Sequence, residues 1–466
     1  MTELMFHGAA RQVTGSMHVL RHNGLTLSLD CGMFQGHRAE ARALNETYPL
    51  PPSEVDMVVL SHAHIDHSGR LPGLVKEGFR GGIFATPATR DLMGIMLPDS
   101  AHIQEEDARY WNTKRAISGD FIEPLYSMED VVETLQHVSP IDCGDTFQLC
   151  PGCKATFLEA GHILGSAIVL LELEMGGQTR RILYSGDLGR FDLPILKDPT
   201  EPLPACDYLI TECTYADRRH EAADGMREKL RAIIADTAQR GGKVIIPSFS
   251  VGRTQEVIYF LIHLYEDGLL PEVPIFVDSP LSTSATAVFN RHPECYDSEL
   301  LKLWARGKDI FGQGGPVKFI TDVEESKRLN QLKGTCVIIS ASGMCESGRI
   351  LHHLKNNIED EKNTVIIVGF MAQHTLGRRL VERRPEIKIY GRMYKLLARV
   401  EILNGFSAHA DAVDFRRLYA PLAKNLRGAF IVHGEEKQPL AMKALLEELG
   451  CRNVAIPYQG QKFQLE

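Results

Sequence analysis

Hydrophobic and polar positions follow two different rhythms along this chain. Up to about residue 190 the pattern is that of strands. His18-Val19-Leu20-Arg21 and Leu25-Thr26-Leu27-Ser28-Leu29-Asp30 flank Asn23-Gly24, a pair that favours the type I′ turn of a hairpin. An apolar strand over 55–60 runs into a cluster of histidines, and a helical pattern follows over 71–77. Further strands are predicted over 167–173 and 181–184. From about 208 the rhythm changes. Continuous apolar strands at 243–247, 274–277, 335–339 and 364–368 alternate with amphipathic helices, the βαβ pattern of a parallel sheet covered on both faces. After Gly252, Val257, Phe260, Leu261 and Leu264 fall at i, i+3, i+4 and i+7, so that helix packs one apolar face on the sheet. Beyond about 396 the prediction is strand 399–403, helix 413–423, strand 429–432 and helix 440–449. The expected division is a first domain over 1–208, an inserted α/β domain over 209–396, and a return to the first domain over 397–466.

A chain of 466 residues has room for two cores, and its 44% hydrophobic and 24% charged composition is that of a folded globular protein. The start, Met1-Thr2-Glu3-Leu4-Met5-Phe6-His7, has neither a basic nor an apolar signal region, and no window approaches the roughly 18 to 20 apolar residues of a membrane span. A cytoplasmic location without membrane contact is expected. The ten cysteines at irregular spacings read as buried thiols in a reducing compartment. Cys150-Pro151-Gly152-Cys153 reads as a Pro-Gly hairpin turn, because a zinc knuckle would want a second pair. The net charge of −9 argues against a uniformly basic binder of nucleic acid. It does not exclude a nuclease, whose metal ligands are themselves acidic and whose cations supply local positive potential.

The chemistry concentrates in His62-Ala63-His64-Ile65-Asp66-His67. In an extended segment His62 and His64 point to the same side and can share one metal, while Asp66 and His67 follow in a tight turn and can reach a second. Ligand-type residues packed this densely behind an apolar strand are hard to explain as surface decoration. His102 and His352-His353 lie on helical patterns without ligand spacing and read as structural or surface histidines.

This stretch, followed by Ser68-Gly69, resembles the metallo-β-lactamase superfamily. Asp30 in Ser28-Leu29-Asp30-Cys31-Gly32, His162 in Gly161-His162-Ile163-Leu164-Gly165-Ser166, and Asp187 in Ser185-Gly186-Asp187-Leu188-Gly189 match its other motifs in order. The resemblance implies an αββα sandwich with two zinc ions. His62, His64 and His162 would hold one, Asp66 and His67 the other, and Asp187 would bridge them, with Asp30 orienting the ligands from behind. His/Asp sites also take manganese. Two such cations would acidify a shared water for in-line attack on a phosphodiester.

Glu212 in Thr211-Glu212-Cys213-Thr214-Tyr215, His409 in Ser407-Ala408-His409-Ala410-Asp411, and His433 in Val432-His433-Gly434-Glu435 look like motifs A, B and C of the β-CASP branch. That branch processes nucleic acids and carries an inserted α/β domain. The chain is most similar to the cleavage-and-polyadenylation endonuclease type and its bacterial relatives, with supporting signatures at 247–253, 278–281, 340–344 and 375–379. Histidine at motif C favours RNA over DNA and completes the second zinc's ligands. The implied function is a zinc-dependent ribonuclease that cuts single-stranded RNA internally, from the 5′ end, or both. Asp66, Glu212 and His409 are the expected catalytic residues, with His409, held by Glu212, as general acid for the leaving oxygen.

The strand–loop–helix junctions of the insert carry Gly, Ser and Arg, so free N–H groups and guanidinium groups there could line a path for the RNA backbone. Arg253, Ser342, Thr375, Arg378 and Ser407 are the candidates. His374 either narrows that path or touches substrate. Substrate choice is expected to come from the cleft or from partners, because no KH-like extension is recognised; a homodimer is a possible assembly. Two competing readings stand beside this one: a two-zinc hydrolase of a small ester or thioester, which would not need the insert or the Glu212–His409 pair, and a non-catalytic RNA-processing subunit, which would not need the complete ligand set.

Overall fold

A computed structural model describes every residue except 1, 37, 116–120, 221–223, 309, 312–314, 370 and 372–373. The chain divides into two compact units. One comprises Met1–Phe191, Lys197–Arg219 and His409–Glu466, the other Asp192–Leu196 and His220–Ala408.

The first unit is a sandwich of two seven-stranded sheets. One sheet runs in the order Lys462–Leu465, Thr2–His7, Met17–His22, Leu25–Leu29, Met57–Val59, Gly82–Ala85 and Val138–Pro140. The expected hairpin is present, with Asn23 at φ 49° and Gly24 at φ 87°, the paired left-handed conformations that a type I′ turn requires. The second sheet runs Val454–Ala455, Gly428–Ile431, Tyr208–Thr211, Gln178–Tyr184, Ala167–Met175, Cys153–Glu159 and Thr146–Cys150. Alternate residues of both sheets meet in one core: Phe6, Leu27 and Leu29 from the first, Phe157, Val169, Leu171 and Ile182 from the second. Each such side chain contributes about 2 kcal/mol on burial. Outside the second sheet, Phe415 and Leu418 of helix Ala412–Tyr419 and Met442 and Leu446 of helix Gln438–Glu448 pack on Leu183, Leu209 and Ile431. Helices Leu71–Lys76, Pro87–Arg115 and Met128–Gln136 pack together beside the first sheet. The result is the αββα architecture.

The second unit holds a six-stranded sheet in the order Val317–Phe319, Ile275–Val277, Val337–Ser340, Val244–Pro247, Thr364–Ile367 and Arg399–Ile402. Every pairing in it is parallel, so the strands all end on one edge. Helix Arg253–Glu266 buries Val257, Leu261 and Leu264 as its periodicity predicts.

The boundaries differ from the expected ones at both ends of the insert. Tyr208–Thr211 pairs on both sides within the first unit, so the long inserted segment begins only after Arg219. Arg399–Ile402, expected to open the last segment, instead adds to Thr364–Ile367 as the edge of the inserted sheet. Its short Arg-Val-Glu-Ile pattern suits an edge strand of either sheet, and only pairing decides which. Among the described residues no helix is long and apolar enough to cross a membrane.

Candidate metal centre

The site is built where strands of the two sandwich sheets end. Met57–Val59 delivers Ser61 to His64 in extended conformation, and a single helical turn, Ile65–Ser68, follows. His62 and His64 therefore lie side by side, with ring centroids 4.9 Å apart, while Asp66 and His67 project from the turn. The loop carrying Asp30 packs directly on this turn. Cys31 N–H donates to the His67 carbonyl at 2.8 Å, and a Cβ at Gly32 would lie 1.6 Å from the Asp66 carbonyl oxygen, so only glycine fits there. The loops of Asp187 and His162 approach as closely: a Cβ at Gly189 would lie 1.9 Å from the Gly161 carbonyl oxygen. His433 follows Gly428–Ile431 in the left-handed region at φ 52°, with its N–H on the Ala9 carbonyl at 2.6 Å.

Seven side chains converge into two clusters. In the first, His64 Nδ1 lies 3.1 Å from His62 Nε2 and 3.3 Å from His162 Nε2. Asp187 Oδ2 lies 3.5 and 3.6 Å from the same two Nε2 atoms. A tetrahedron with metal–ligand bonds of about 2.0–2.1 Å has edges of about 3.3 Å, so these spacings match a single cation. The second cluster joins Asp66, His67 and His433. His433 Nε2 is 3.5 Å from Asp66 Oδ2, and Asp187 Oδ1 reaches this side, 3.3 Å from His67 Nε2 and 3.6 Å from His433 Nδ1. Asp187 thus faces both.

The electrostatics suit a cation. Burial lowers His62 well below its ordinary value and His64 to about 4, so both imidazoles are neutral and present lone pairs. Burial opposes the charge of Asp187, but His433 and His67 hold its carboxyl well below the usual range. Nε2 of His67, Nε2 of His433 and Oδ1 of Asp187 are buried without a hydrogen-bond partner among the described residues. Each would otherwise cost about 1–3 kcal/mol, and a divalent cation satisfies all three at once. The donor set fits.

Behind the ligands stands Asp30, fully buried. Its Oδ1 accepts Ser61 N–H at 2.7 Å, and its Oδ2 accepts the Ser61 hydroxyl at 2.8 Å, His67 Nδ1–H at 2.6 Å and the Tyr184 hydroxyl at 2.5 Å. Ser61 and Tyr184 escaped the sequence reading, because serine next to a ligand and tyrosine at a strand end carry no distinctive spacing. His409 stands beside the first cluster, 4.4 Å from His162 between ring centroids, with Nδ1 3.0 Å from Glu212 Oε1. Glu212 is fully buried and fixed by N–H groups of Leu188 at 2.7 Å and Thr214 at 3.1 Å. Burial works against the imidazolium of His409, but Glu212, then Asp187 and Asp66, raise it to about 9.

The expected RNA contacts all lie in the second unit, after the ends of adjacent parallel strands, the usual ligand-binding edge of such sheets. Several of their polar groups have partners within the protein. Arg253 is buried and ion-paired with Glu256, and Arg378 Nε is 2.9 Å from Glu382. Thr375 Oγ1 caps Arg378 N–H at 3.1 Å, and Glu346 takes the N–H of Leu376. Ser342 Oγ accepts N–H groups of Glu346 and Ser347, and Ser407 follows a short 3-10 turn. His374 is exposed, in the left-handed region at φ 69°.

A buried His/Asp cluster at the strand ends of an αββα sandwich defines a metallohydrolase of the metallo-β-lactamase fold. Three family models match the chain: a beta-lactamase superfamily domain over 28–233, a Beta-Casp domain over 254–380, and a Zn-dependent metallo-hydrolase RNA specificity domain over 393–457. Ribonuclease TTHA0252 of Thermus thermophilus is 38% identical over 443 residues, covering 94% of each chain. Transcription termination factor FttA of Methanosarcina mazei is 31% identical over 92% of this chain, which spans 66% of that protein's length. The chain belongs to the β-CASP family of metallo-β-lactamase-fold RNA nucleases. A crystal structure of a protein of unknown function from Enterococcus faecalis V583, 13% identical, shares the fold over 100% of both chains with a TM-score of 0.55.

Proposed function

We propose that this protein is a two-zinc ribonuclease acting on single-stranded RNA. His62, His64 and His162 hold one cation, Asp66, His67 and His433 the other, and Asp187 faces both. The carrying observation is the pair of buried ligand clusters that share Asp187 and leave donor atoms unpaired. Manganese is the other ion this donor set admits. Bound there, the two cations would acidify water and stabilise charge on the phosphate oxygens. RNA as substrate is supported by the match to an RNA specificity domain over 393–457 and by the likeness to the Thermus ribonuclease.

His409 is the general acid on this reading. Glu212 grips its Nδ1, which leaves Nε2 to hand a proton to the departing ribose oxygen. The backbone donors on both oxygens of Glu212 prevent that carboxylate from turning away. Ser342, Thr375 and Ser407 contact the RNA backbone, while Arg253 and Arg378 exchange their glutamate partners for phosphate when RNA binds.

The test uses single-stranded RNA labelled at either end, matching DNA, chelator, and the variant Asp66→Ala/His67→Ala. RNA-selective cleavage lost with chelator and in the variant is expected, and ladders from the two ends separate internal cuts from digestion at the 5′ end. A fully zinc-loaded protein that leaves RNA intact but hydrolyses small esters or thioesters overturns the assignment.

A further inference from the structure

Of the donors around Asp30, Ser61 and His67 belong to the same segment as the first histidines. Tyr184 does not. It ends the strand Gln178–Tyr184 in the opposite sheet, and that segment goes on to deliver Asp187. Its ring is 1% exposed and meets His18 edge-on, at 5.6 Å between centroids and 87° between planes. Its hydroxyl donates to Asp30 Oδ2 at 2.5 Å and accepts from Ser16 Oγ at 3.1 Å. One oxygen therefore ties together segments from both sheets of the sandwich, the one that carries Asp187 and the one whose carboxylate grips His67.

We propose that Tyr184 is a positioning residue for the second metal position, the one formed by Asp66, His67 and His433; the inference rests on the metal reading above. His67 can offer Nε2 only while Nδ1 carries its proton, and Asp30 is the acceptor that keeps it there. The donors from Ser61 fix Asp30 relative to the histidine segment alone. The Tyr184 hydroxyl fixes it relative to Asp187, so the spacing between His67 Nε2 and Asp187 Oδ1 depends on this tie. Burial, and then the neighbouring Asp30, raise the phenol well above its ordinary value, so it stays a donor.

The variant is Tyr184→Phe, which keeps the packed ring. Apo protein is titrated with zinc against a chromophoric chelator to resolve the two affinities. In Tyr184→Phe the second affinity is expected to weaken about tenfold or more, within the 10–100-fold range for groups behind a ligand, with the first unchanged. Because Tyr184 acts through Asp30, the substitution adds nothing in an Asp30→Asn background. Ser16→Ala, which leaves ring and hydroxyl in place, weakens the second position less and serves if Tyr184→Phe does not fold. An unchanged second affinity, equal losses at both positions, or additive losses with Asp30→Asn overturn the proposal and leave the metal reading intact. Wild-type protein that takes up fewer than two equivalents overturns both.

Discussion

Each unit of this molecule contains a buried histidine–aspartate cluster at a strand end, and the two are finished differently. In the inserted unit Asp278 follows Ile275–Val277. Its Oδ2 meets His353 Nε2 at 2.6 Å and the Ser326 hydroxyl at 2.5 Å, and its Oδ1 meets Arg349 at 2.7 Å. The other nitrogen of His353 lies 3.0 Å from Asn330 Oδ1. Among the described residues, no buried side-chain polar atom of Asp278, Ser326 or His353 lacks a partner. In the sandwich unit, His67, His433 and Asp187 each keep one buried atom without one. A closed cluster is a strut that pins elements together. A cluster with open valences is a socket, and the fold carries the cost of the unpaired atoms until an ion enters.

The comparison breaks first at Asp187. Asp187→Ala should lower RNA cleavage by more than about 1,000-fold and reduce bound metal, measured by single-turnover assay and elemental analysis. Next comes His409→Ala, with a loss of about 100-fold or more in kcat at unchanged metal content. A general acid works protonated, so wild-type kcat falls as pH rises through the value of His409. Cations bound at Asp187 and Asp66 would cancel part of the lift to about 9 and put the basic limb below 9; that limb should be missing in His409→Ala.

The strut predicts the opposite pattern. Asp278→Asn should leave cleavage per folded molecule intact yet cost about 3 kcal/mol in denaturant unfolding, the scale of breaking a buried pair. Burial opposes the charge of Asp278, but His353, Ser326 and Arg349 lower it below the ordinary carboxylate range. Its contribution is therefore present above the unfolded value of about 3.9 and is lost as pH falls through the folded one, so the gap to the variant narrows below about pH 4. The smallest effect is expected at the half-buried Arg378. Arg378→Ala should change stability by less than about 0.5 kcal/mol while weakening RNA binding and reducing the salt slope by about one.

The sequence was most legible where spacing alone dictates geometry. His62 and His64 in extended chain, with Asp66 and His67 in the following turn, lie as their spacing requires. Groups that work through tertiary contact were not readable: nothing local marks Tyr184 as a bridge to a residue 154 positions away. The ion pairs of Arg253 and Arg378 went unread although their partners were visible, since Glu256 and Glu382 sit one helical turn on. Of the 29-residue helix Pro87–Arg115 only a helical pattern around His102 was read, because its face is weakly amphipathic and it contains Pro98.

The ligands of the second cluster are far apart in the chain, and this orders the events of synthesis. Asp66 and His67 leave the ribosome early, and the whole run from His220 to Ala408 follows as a unit of its own. Only then does Gly428–Ile431 emerge to pair with Tyr208–Thr211 in the second sheet and bring His433 to the other two. A nascent chain that has not yet reached His433 therefore lacks one member of the second cluster. The second cluster is therefore the last part of this site to be assembled, after the inserted unit has been made.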